Sequence, residues 1–410
     1  MNRYPDILYI NYERTASGAT VHRDELVKAA RKLGARLTTL FHPSCVSQIA
    51  DKTEAASEGI KENMLQYLRR KFYENWTEPA LLLMTLKEGP RELRAITLAN
   101  PRVIMANYTI HFSSVLIARA LGIPIVLQIH TPYHIVQNDC TSKPFRLNRF
   151  WKWLDNRAVR MASGVVVVSQ EVADYYVRQG FPRDKFVVTA NGVDPAQFNP
   201  GVSDAGIRAR YGLDKAFVIG YLGILDEWTG IDRLLELLRE SRSLPENLRV
   251  LIVGSGPIEA GLRRIASHPN LQGRVVFTGF IPHAQVPEHI AAFDIAVAPY
   301  KGIDRSYISS MKLLEYMAMG KPVLTPRMRH GTELIRHGED GFLYEADNER
   351  QMLEYLNLML TDAELRKKLS EGALARSRET TWTWKSNAAS VLDLCARVAA
   401  QCRSVKNQVA

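Results

Sequence analysis

A lysine and a glutamate three residues apart have the types and spacing that best fit ligand chemistry in this chain. Lys312 and Glu315 lie within SSMKLLEYMAMGKPV (309–323), which reads as a short helix that ends at Gly320. Residues three apart share one face of a helix. Ser310 is a good first residue for such a helix, and the unpaired N–H groups and dipole of a first turn attract anions. Two interpretations are open: a diphosphate near Lys312 with a ribose at Glu315, or a surface ion pair contributing about 0.2–0.5 kcal/mol.

Three further places hold residues that could contact a ligand. Ser17-Gly18 follows a strand-like run and precedes a helix, where a glycine lets backbone amides approach a phosphate, although one glycine also fits a plain turn. His130 ends the strand IPIVLQIH at the carboxyl edge where α/β sites form, but a lone histidine is more often structural. The loop GSGP (254–257) lacks the third glycine of a dinucleotide fingerprint, which argues against an NAD site. No Cys/His cluster has ligand spacing, so we predict no metal site.

An α/β framework is needed to bring these residues into position. The chain has 410 residues, more than a single core usually serves, so two domains are expected. Strand-like apolar runs alternate with amphipathic helices on both sides of NGVDPAQFNPGVSD (191–204), a linker candidate. This order predicts two doubly wound parallel sheets and a last helix that crosses back to the first domain. The expected domains are residues 1–198 plus about 388–410, and residues 205–387.

Composition places the chain among ordinary globular proteins. It is 46% hydrophobic and 23% charged, and no apolar run approaches the ~20 residues that span a bilayer. The start of the chain shows no secretory signal pattern. Its four cysteines include no C-x-x-C pair, so we expect reduced thiols in a cytoplasmic protein.

Positive charge is concentrated in the first half of the chain. Residues 1–190 hold 26 Lys and Arg against 17 Asp and Glu, whereas the remainder holds 27 against 26. Two segments, 65–76 and 143–160, interleave basic and aromatic residues, which suits an anionic membrane surface. A solvated helix with buried aromatics is the alternative. Nucleic acid is not expected as a partner, because no recognition-module signature accompanies these segments.

Several blocks, taken in order, resemble the retaining GT-B glycosyltransferases of family 4, which use nucleotide sugars. The blocks are SGAT, RMASGVVVVSQEVADYYVRQGFPRDKFVVTANGVDPAQFNP, LRVLIVGSGP, RVVFTGFIPHAQVPEHIAAFDIAVAPY, SSMKLLEYMAMGKPV and GTELIRHGEDGFLYEAD. The resemblance covers almost the whole chain and favours the ligand interpretation of Lys312 and Glu315. It implies an α/β fold of the GT-B type, with two Rossmann-like domains that face a cleft.

The resemblance also implies roles for individual residues. Glu315 matches the acidic residue that binds the donor ribose, and His130 matches a histidine close to the transferred sugar. The expected catalytic residues are His130, Lys312 and Glu315. The expected donor-binding residues are Ser17, Gly18, Gly223, Thr229, Phe280, Ile281, Tyr307, Ser310, Lys312, Leu313, Leu314 and Glu315.

Some of these positions are expected to act through the backbone rather than the side chain. Leu313 and Leu314 match positions whose amides meet the donor diphosphate, and Gly18 matches a glycine loop near the donor phosphate. Phe280 and Ile281 match a loop whose backbone lies against the base. Backbone recognition of the base leaves little trace in side chains, so the sequence does not name the base.

The chain departs from the family pattern at two places. Many members carry an Arg and a Lys five apart that clamp the diphosphate, and these positions here hold Ile224 and Thr229. Many also carry a second glutamate eight residues before the ribose-binding one, where this chain has Tyr307. The W-x-G block at Trp228 and the S-x-x-K-x-x-E spacing resemble a subgroup in which Lys312 would supply the missing positive charge.

The resemblance implies transfer of a hexose-type sugar from a UDP or GDP sugar, with retention, to a lipid-linked acceptor or a growing surface glycan. It implies no cofactor and no required metal. The expected partners are the nucleotide sugar, the glycan or lipid-linked acceptor, and an anionic membrane surface on the cytoplasmic side. Two alternatives stay open: a catalytically weak nucleotide-sugar-binding partner protein, and a nucleotide-sugar epimerase of the same fold.

Overall fold

The structure is a computed structural model that divides the chain into two compact units. The units are Met1–Ala190 with Trp384–Ala410, and Asn191–Thr383. The structure describes residues 3–12, 18–41, 77–108, 112–132, 134–135, 146–241, 244–301, 310–379 and 382–409. The predictions for Ser17, Tyr307 and the segment 65–76 lie outside these residues. Elements are numbered below in chain order within the described part.

The first unit is built on a six-stranded parallel sheet in the order β2-β1-β3-β4-β5-β6. Strands β1, β3, β4 and β5 are buried at every position, which is typical of strands covered on both faces. The strands are β1 (Ile7–Asn11), β2 (Leu37–Phe41), β3 (Val103–Asn107), β4 (Ile125–Ile129), β5 (Gly164–Val167) and β6 (Phe186–Val188).

Five helices connect these strands in the described part of the first unit. They are α1 (Gly18–Lys32), α2 (Thr77–Ala99), α3 (Ser113–Ala120), α4 (Asn148–Met161) and α5 (Gln170–Arg178), and a 3-10 turn covers Arg183–Lys185. Helix α5 begins where Ser169 caps it, because the Ser169 hydroxyl accepts a hydrogen bond from the N–H of Val172.

The second unit repeats the design with the order β12-β11-β10-β7-β8-β9, again parallel throughout. The strand order reverses between β7 and β10, which are neighbours in the sheet but distant in the sequence. The strands are β7 (Phe217–Leu222), β8 (Leu248–Val253), β9 (Val275–Gly279), β10 (Ile295–Val297), β11 (Val323–Pro326) and β12 (Gly341–Tyr344).

Alternate residues of β7 belong to different core clusters, as expected for a strand covered on both faces. Val218 and Leu222 belong to one cluster, and Ile219 and Tyr221 belong to the other. The helices of this unit are α6 (Ala205–Tyr211), α7 (Ile231–Glu240), α8 (Glu259–Ala266), α9 (Val286–Ala291), α10 (Met311–Ala318), α11 (Arg329–Leu334), α12 (Glu349–Thr361) and α13 (Ala363–Glu379). Two 3-10 turns cover Glu227–Thr229 and His283–Gln285.

The last helix, α14 (Trp384–Val409), returns to the first unit. A Cβ at Gly164 of β5 would lie 3.0 Å from a methyl group of Leu394, so α14 packs directly on this sheet. At its start, the ring of Trp384 meets the ring of His22 edge-on at 5.1 Å. The crossing helix predicted from the sequence is therefore present. Within the described residues, no helix is long and apolar enough to cross a membrane.

Candidate active site

The carboxyl ends of β7 and β10 meet where the strand order of the second sheet reverses. The chain leaves β7 at Gly223 and leaves β10 toward Tyr300. Ligands of doubly wound sheets bind at such a point, because the connections from the two strands run in opposite directions and open a crevice. The predicted residues at the start of α10 lie at this edge.

Ser310 is the N-cap residue of helix α10, but its side chain does not cap the helix. Ser310 has the extended backbone of an N-cap residue (φ −85°, ψ 100°) and forms no capping hydrogen bond. Its hydroxyl instead shares a buried hydrogen bond with the hydroxyl of Tyr300, at 2.8 Å. The first N–H groups of a helix have no acceptor within it. This turn therefore offers donors and the positive end of the helix dipole to an anion.

Lys312 lies in the same first turn, and aromatic side chains surround its ammonium group. Nζ donates to the hydroxyl of Tyr221 at 3.2 Å and lies 4.4 Å from the centre of that ring. The ring centre of Tyr300 is 5.2 Å from the same nitrogen. A Cβ at Gly223, where φ is +140°, would come within 2.6 Å of Nζ. Glycine is favoured at this position because L side chains rarely adopt such a φ, and a Cβ would displace the ammonium group.

The pKa of Lys312 lies near neutral pH, so its protonation state can respond to a ligand. Burial lowers the pKa of Lys312 to about 7, and the nearby Glu315 carboxylate opposes this shift. Negative charge close to an ammonium group favours its protonated form. A bound diphosphate would therefore raise this pKa again, so that Lys312 takes up a proton when an anion binds at neutral or higher pH.

Glu315 faces a histidine rather than Lys312. The Glu315 side chain is 3% exposed, and its Oε1 accepts a hydrogen bond from Nε2 of His283 at 2.8 Å. No ion pair joins Lys312 to Glu315 among the described residues, so the alternative of a local helix pair is not what the structure contains. His283 holds one carboxylate oxygen, which leaves the other for a donor such as a sugar hydroxyl.

The block after β7 contains no positive side chain that faces Lys312. Ile224 is 50% exposed and offers only an apolar side chain. Thr229 is fully buried, and its hydroxyl donates to the carbonyl of Asp226 at 2.6 Å, so this side chain closes the turn. Its role in donor binding stays a prediction. Trp228 stacks flat on Tyr300, with ring centres 5.8 Å apart and planes 1° apart.

Leu313, Leu314, Phe280 and Ile281, which are expected to act through their backbone, differ in the exposure of their side chains. The side chains of Leu313 and Leu314 are buried in the core, so only their amides can face a ligand at the start of α10. Phe280 follows β9 directly and is 54% exposed, next to the partly buried Ile281. An exposed aromatic residue at the carboxyl edge offers a surface for a planar base.

His130 lies in the first unit, at the carboxyl end of β4, and meets the ring of His22 edge-on at 4.9 Å. Burial, with a smaller effect of the neighbouring His22, lowers the pKa of His130 to about 3. His130 is therefore neutral at physiological pH. A neutral histidine can exchange hydrogen bonds with sugar hydroxyls but adds no charge. Gly18 is the first described residue of α1, and its role near the donor phosphate stays a prediction.

A chain of hydrogen bonds fixes the orientation of His22. Asn11 donates to the Tyr9 hydroxyl at 3.0 Å, and Tyr9 donates to Oε1 of Gln128 at 2.8 Å. The amide nitrogen of Gln128 then faces Nε2 of His22 at 2.6 Å, so Nε2 is the acceptor. The network ties β1 and β4 together beside His130.

His134 binds a carboxylate rather than a metal. Its Nδ1 pairs with Asp155 of α4, and its Nε2 lies 2.9 Å from the hydroxyl of Tyr175 of α5. These contacts attach the chain after β4 to two helices. In the part of the chain that the structure describes, no group of three His, Cys, Asp or Glu side chains could hold a metal ion. Whether the reaction needs a metal stays a prediction.

Three side chains of the second-unit site were not predicted from the sequence. They are Tyr221, His283 and Tyr300. Tyr221 and Tyr300 sit in strand-like apolar runs and read as core residues, and His283 lies in a loop. The sequence could have pointed to them only through their place in the chain, because each lies at or just beyond the carboxyl end of a strand that borders the site.

Two family models match successive parts of the chain. The model described as Glycosyltransferase Family 4 matches residues 16–197, and the model described as Glycosyl transferases group 1 matches residues 216–362. The chain is a glycosyltransferase. Its group 1 domain contains the site around Lys312 and Glu315, and its family 4 domain contains His130.

Named relatives and a solved structure agree with this assignment. The chain is 26% identical over 265 residues to an alpha-D-kanosaminyltransferase of Streptomyces kanamyceticus, covering 64% of this chain and 68% of that protein. It is 29% identical over 209 residues to a GDP-mannose-dependent alpha-(1-6)-phosphatidylinositol monomannoside mannosyltransferase of Mycolicibacterium smegmatis, covering 50% of this chain and 54% of that protein. The chain thus spans about half the length of the second relative.

The solved structure is Anabaena Alr3699/HepE in complex with UDP-glucose. Its TM-score is 0.70 at 20% identity, and the match covers 95% of this chain and 100% of that one. The similarity shows the fold, and it confirms the prediction of two Rossmann-like domains of the GT-B type.

Proposed function

We propose that this glycosyltransferase moves a hexose-type sugar from a UDP or GDP sugar to an acceptor and retains the anomeric configuration. One observation carries the proposal. An uncapped helix start, the ammonium group of Lys312 and the oriented carboxylate of Glu315 occur together where the strand order of a doubly wound sheet reverses. The helix start and the ammonium group suit a diphosphate, and the carboxylate suits the ribose next to it.

In the proposed reaction, this site must stabilise the leaving diphosphate. Negative charge grows on the diphosphate as the sugar–oxygen bond breaks, and Lys312 with the first N–H groups of α10 is placed to balance it. In the retaining route the leaving phosphate accepts the proton of the attacking hydroxyl on the same face. The proposed reaction therefore needs no carboxylate pair of the glycosidase kind.

The test combines ligand binding with turnover. UDP, GDP, ADP, TDP and their sugar conjugates are titrated in a thermal-shift assay without added metal, since a ligand raises the melting temperature as RT ln(1 + [L]/Kd). We expect one nucleotide to stabilise the protein and Glu315→Ala to abolish the shift. The matched control is Glu354→Ala, which changes an exposed glutamate on α12.

Turnover then separates the enzyme from the two alternatives. Lys312→Ala should abolish sugar transfer. If the wild-type protein transfers no sugar and Lys312→Ala changes only the affinity for the nucleotide sugar, the protein is a nucleotide-sugar-binding partner. Conversion of the sugar without any acceptor would indicate an epimerase. No thermal shift with any nucleotide in a folded sample would refute the donor site.

We infer that the acceptor is lipid-linked and that the first unit meets an anionic membrane surface. Support comes from α4 and its approach, where Leu147, Phe150 and Trp153 are 60%, 38% and 59% exposed. Phe150 and Trp153 stack on each other at 6.0 Å. Exposed basic residues flank them on the same helix, among them Arg149 and Arg157. Basic and aromatic side chains on one helix suit the headgroup region of anionic lipids. The mannosyltransferase relative is named for a phosphatidylinositol-based acceptor.

Co-sedimentation with lipid vesicles tests this surface. We expect binding to vesicles with anionic lipid, weaker binding to zwitterionic vesicles, and loss of binding in Phe150→Ser/Trp153→Ser. Leu358→Ser is the control, because it changes an exposed leucine of α12 in the second unit. Equal binding by both variants would exclude α4 as the membrane contact.

A further inference from the structure

The side chain of Tyr300 performs two tasks at the start of α10. Its hydroxyl holds the hydroxyl of Ser310 at 2.8 Å, and Ser310 is the N-cap residue of that helix. Its ring lies 5.2 Å from the ammonium nitrogen of Lys312. The contact between Tyr300 and Ser310 is buried, since each residue is 4% exposed. One residue thus touches both groups that the donor diphosphate is expected to use.

A serine at the N-cap normally accepts a hydrogen bond from an N–H group of the first turn. That bond would occupy a donor that an anion needs, because a capped N–H cannot also point at a phosphate. Ser310 has the extended backbone required for capping, so its side chain needs only a rotation to cap. The hydrogen bond to Tyr300 directs the hydroxyl elsewhere.

The position of Tyr300 is itself fixed by the block after β7. Trp228 lies flat against its ring, with planes 1° apart. The N–H of Lys301, the next residue, donates to the carbonyl of Trp228 at 2.9 Å. These contacts hold both the ring and the backbone of Tyr300, so its hydroxyl is directed at Ser310 before any ligand arrives.

We propose that Tyr300 is a positioning residue for donor binding, which keeps the first turn of α10 uncapped by holding the Ser310 hydroxyl and supports the Lys312 ammonium with its ring. This inference rests on the proposed donor site. It adds a reason why a good capping serine stands at this position without capping.

Tyr300→Phe tests the hydroxyl while keeping the ring. In the variant, Ser310 is free to cap α10, so affinity for the diphosphate should fall about tenfold, the effect of one capping bond of ~1.4 kcal/mol. The melting temperature of the free protein should stay the same or rise, because a capping bond replaces the lost one. A purely structural role predicts the opposite: lower melting temperature with unchanged affinity in the folded protein.

The decisive variant is Tyr300→Phe combined with Ser310→Ala. Alanine cannot cap, so the first N–H groups become available again and the affinity lost in Tyr300→Phe should return. Calorimetric titration with UDP and with GDP gives the affinities, and Tyr355→Phe on α12 is the control. Unchanged affinity in Tyr300→Phe, or no recovery in the double variant, would overturn the inference. If the wild-type protein binds neither diphosphate, the proposed donor site fails as well, so the two failures are distinguishable.

Discussion

Glu315 should determine how strongly this protein prefers ribose over a sugar ring without hydroxyls. Its carboxylate is 3% exposed, and Oε1 is held by His283 at 2.8 Å. A hydrogen bond to a charged group contributes about 1.5–3 kcal/mol. We therefore expect the wild-type protein to bind a nucleoside diphosphate about 10- to 150-fold more tightly than its 2′,3′-dideoxy form.

Glu315→Gln is the appropriate perturbation because it keeps the volume and the acceptor for His283. A neutral hydrogen bond contributes about 0.5–1.5 kcal/mol, so each ribose bond should lose about 1–1.5 kcal/mol. The preference for the ribose form should then shrink about 5- to 13-fold per bond. Calorimetric titration of both nucleotides, with UDP and GDP each tried, gives the ratio directly.

The comparison of two nucleotides separates recognition from general damage. Equal weakening of both forms in Glu315→Gln would show that Glu315 supports the fold of the site without touching the ribose. His283→Ala should reduce the same ratio, since the carboxylate loses the group that orients it. Glu354→Gln, on the exposed side of α12, should leave the ratio unchanged.

Three further predictions follow from particular contacts. Gly223→Ala should weaken diphosphate binding at least tenfold in a calorimetric titration, because its Cβ would lie 2.6 Å from Nζ of Lys312 and displace the ammonium group. Gly206→Ala on α6 is the control and should have no effect, because a Cβ there would have no neighbour within 4 Å. Diphosphate affinity should fall as pH rises above about 7, where free Lys312 loses its proton and binding must take one up; a flat profile from pH 6 to 9 would contradict this. Burial raises the pKa of Glu92 from 4.5 to about 7, so the native state holds a proton that the unfolded state releases, and stability falls as pH rises across that interval. Glu92→Gln should therefore be more stable than the wild-type protein at pH 8, by about 3 kcal/mol, and equal to it near pH 4, as measured by thermal unfolding.

The fold was predictable because its signals are local. The run of valines at 165–168 has no alternation, and such a run of β-branched residues is typical of a strand covered on both faces. Most of the other strands are also marked by short apolar runs, and the order of strands and helices then favours parallel, doubly wound sheets. The outer strand β2 (LTTLF) is only partly buried. Helix α1 shows the limit of such signals: periodicity placed its start at His22, whereas the helix in the structure already includes Gly18.

Spacing alone could single out site residues only where they share one element. It singled out Lys312 and Glu315, which lie three apart on a helix, and the family resemblance then favoured the ligand interpretation. Tyr221 is 91 residues from Lys312, and His283 is 32 residues from Glu315. Contacts across such separations depend on which strands become neighbours, and no local pattern encodes that. The aromatic surroundings of the ammonium group therefore required the structure.

The first departure from the family pattern, at Ile224 and Thr229, belongs to one arrangement in the second unit. Where the resembling proteins place two positive side chains, this chain has Ile224 and the buried Thr229, whose turn leads into Gly230. A Cβ at Gly230 would lie 1.9 Å from the carbonyl oxygen of Pro299, so the loops after β7 and β10 touch at that glycine. The block that lacks positive charge thus supports the loop that carries Tyr300. The ammonium group of Lys312, from α10, lies beside the rings of Tyr221 and Tyr300, and cation–π attraction favours its place there. That this ammonium group replaces the missing positive charge stays a prediction.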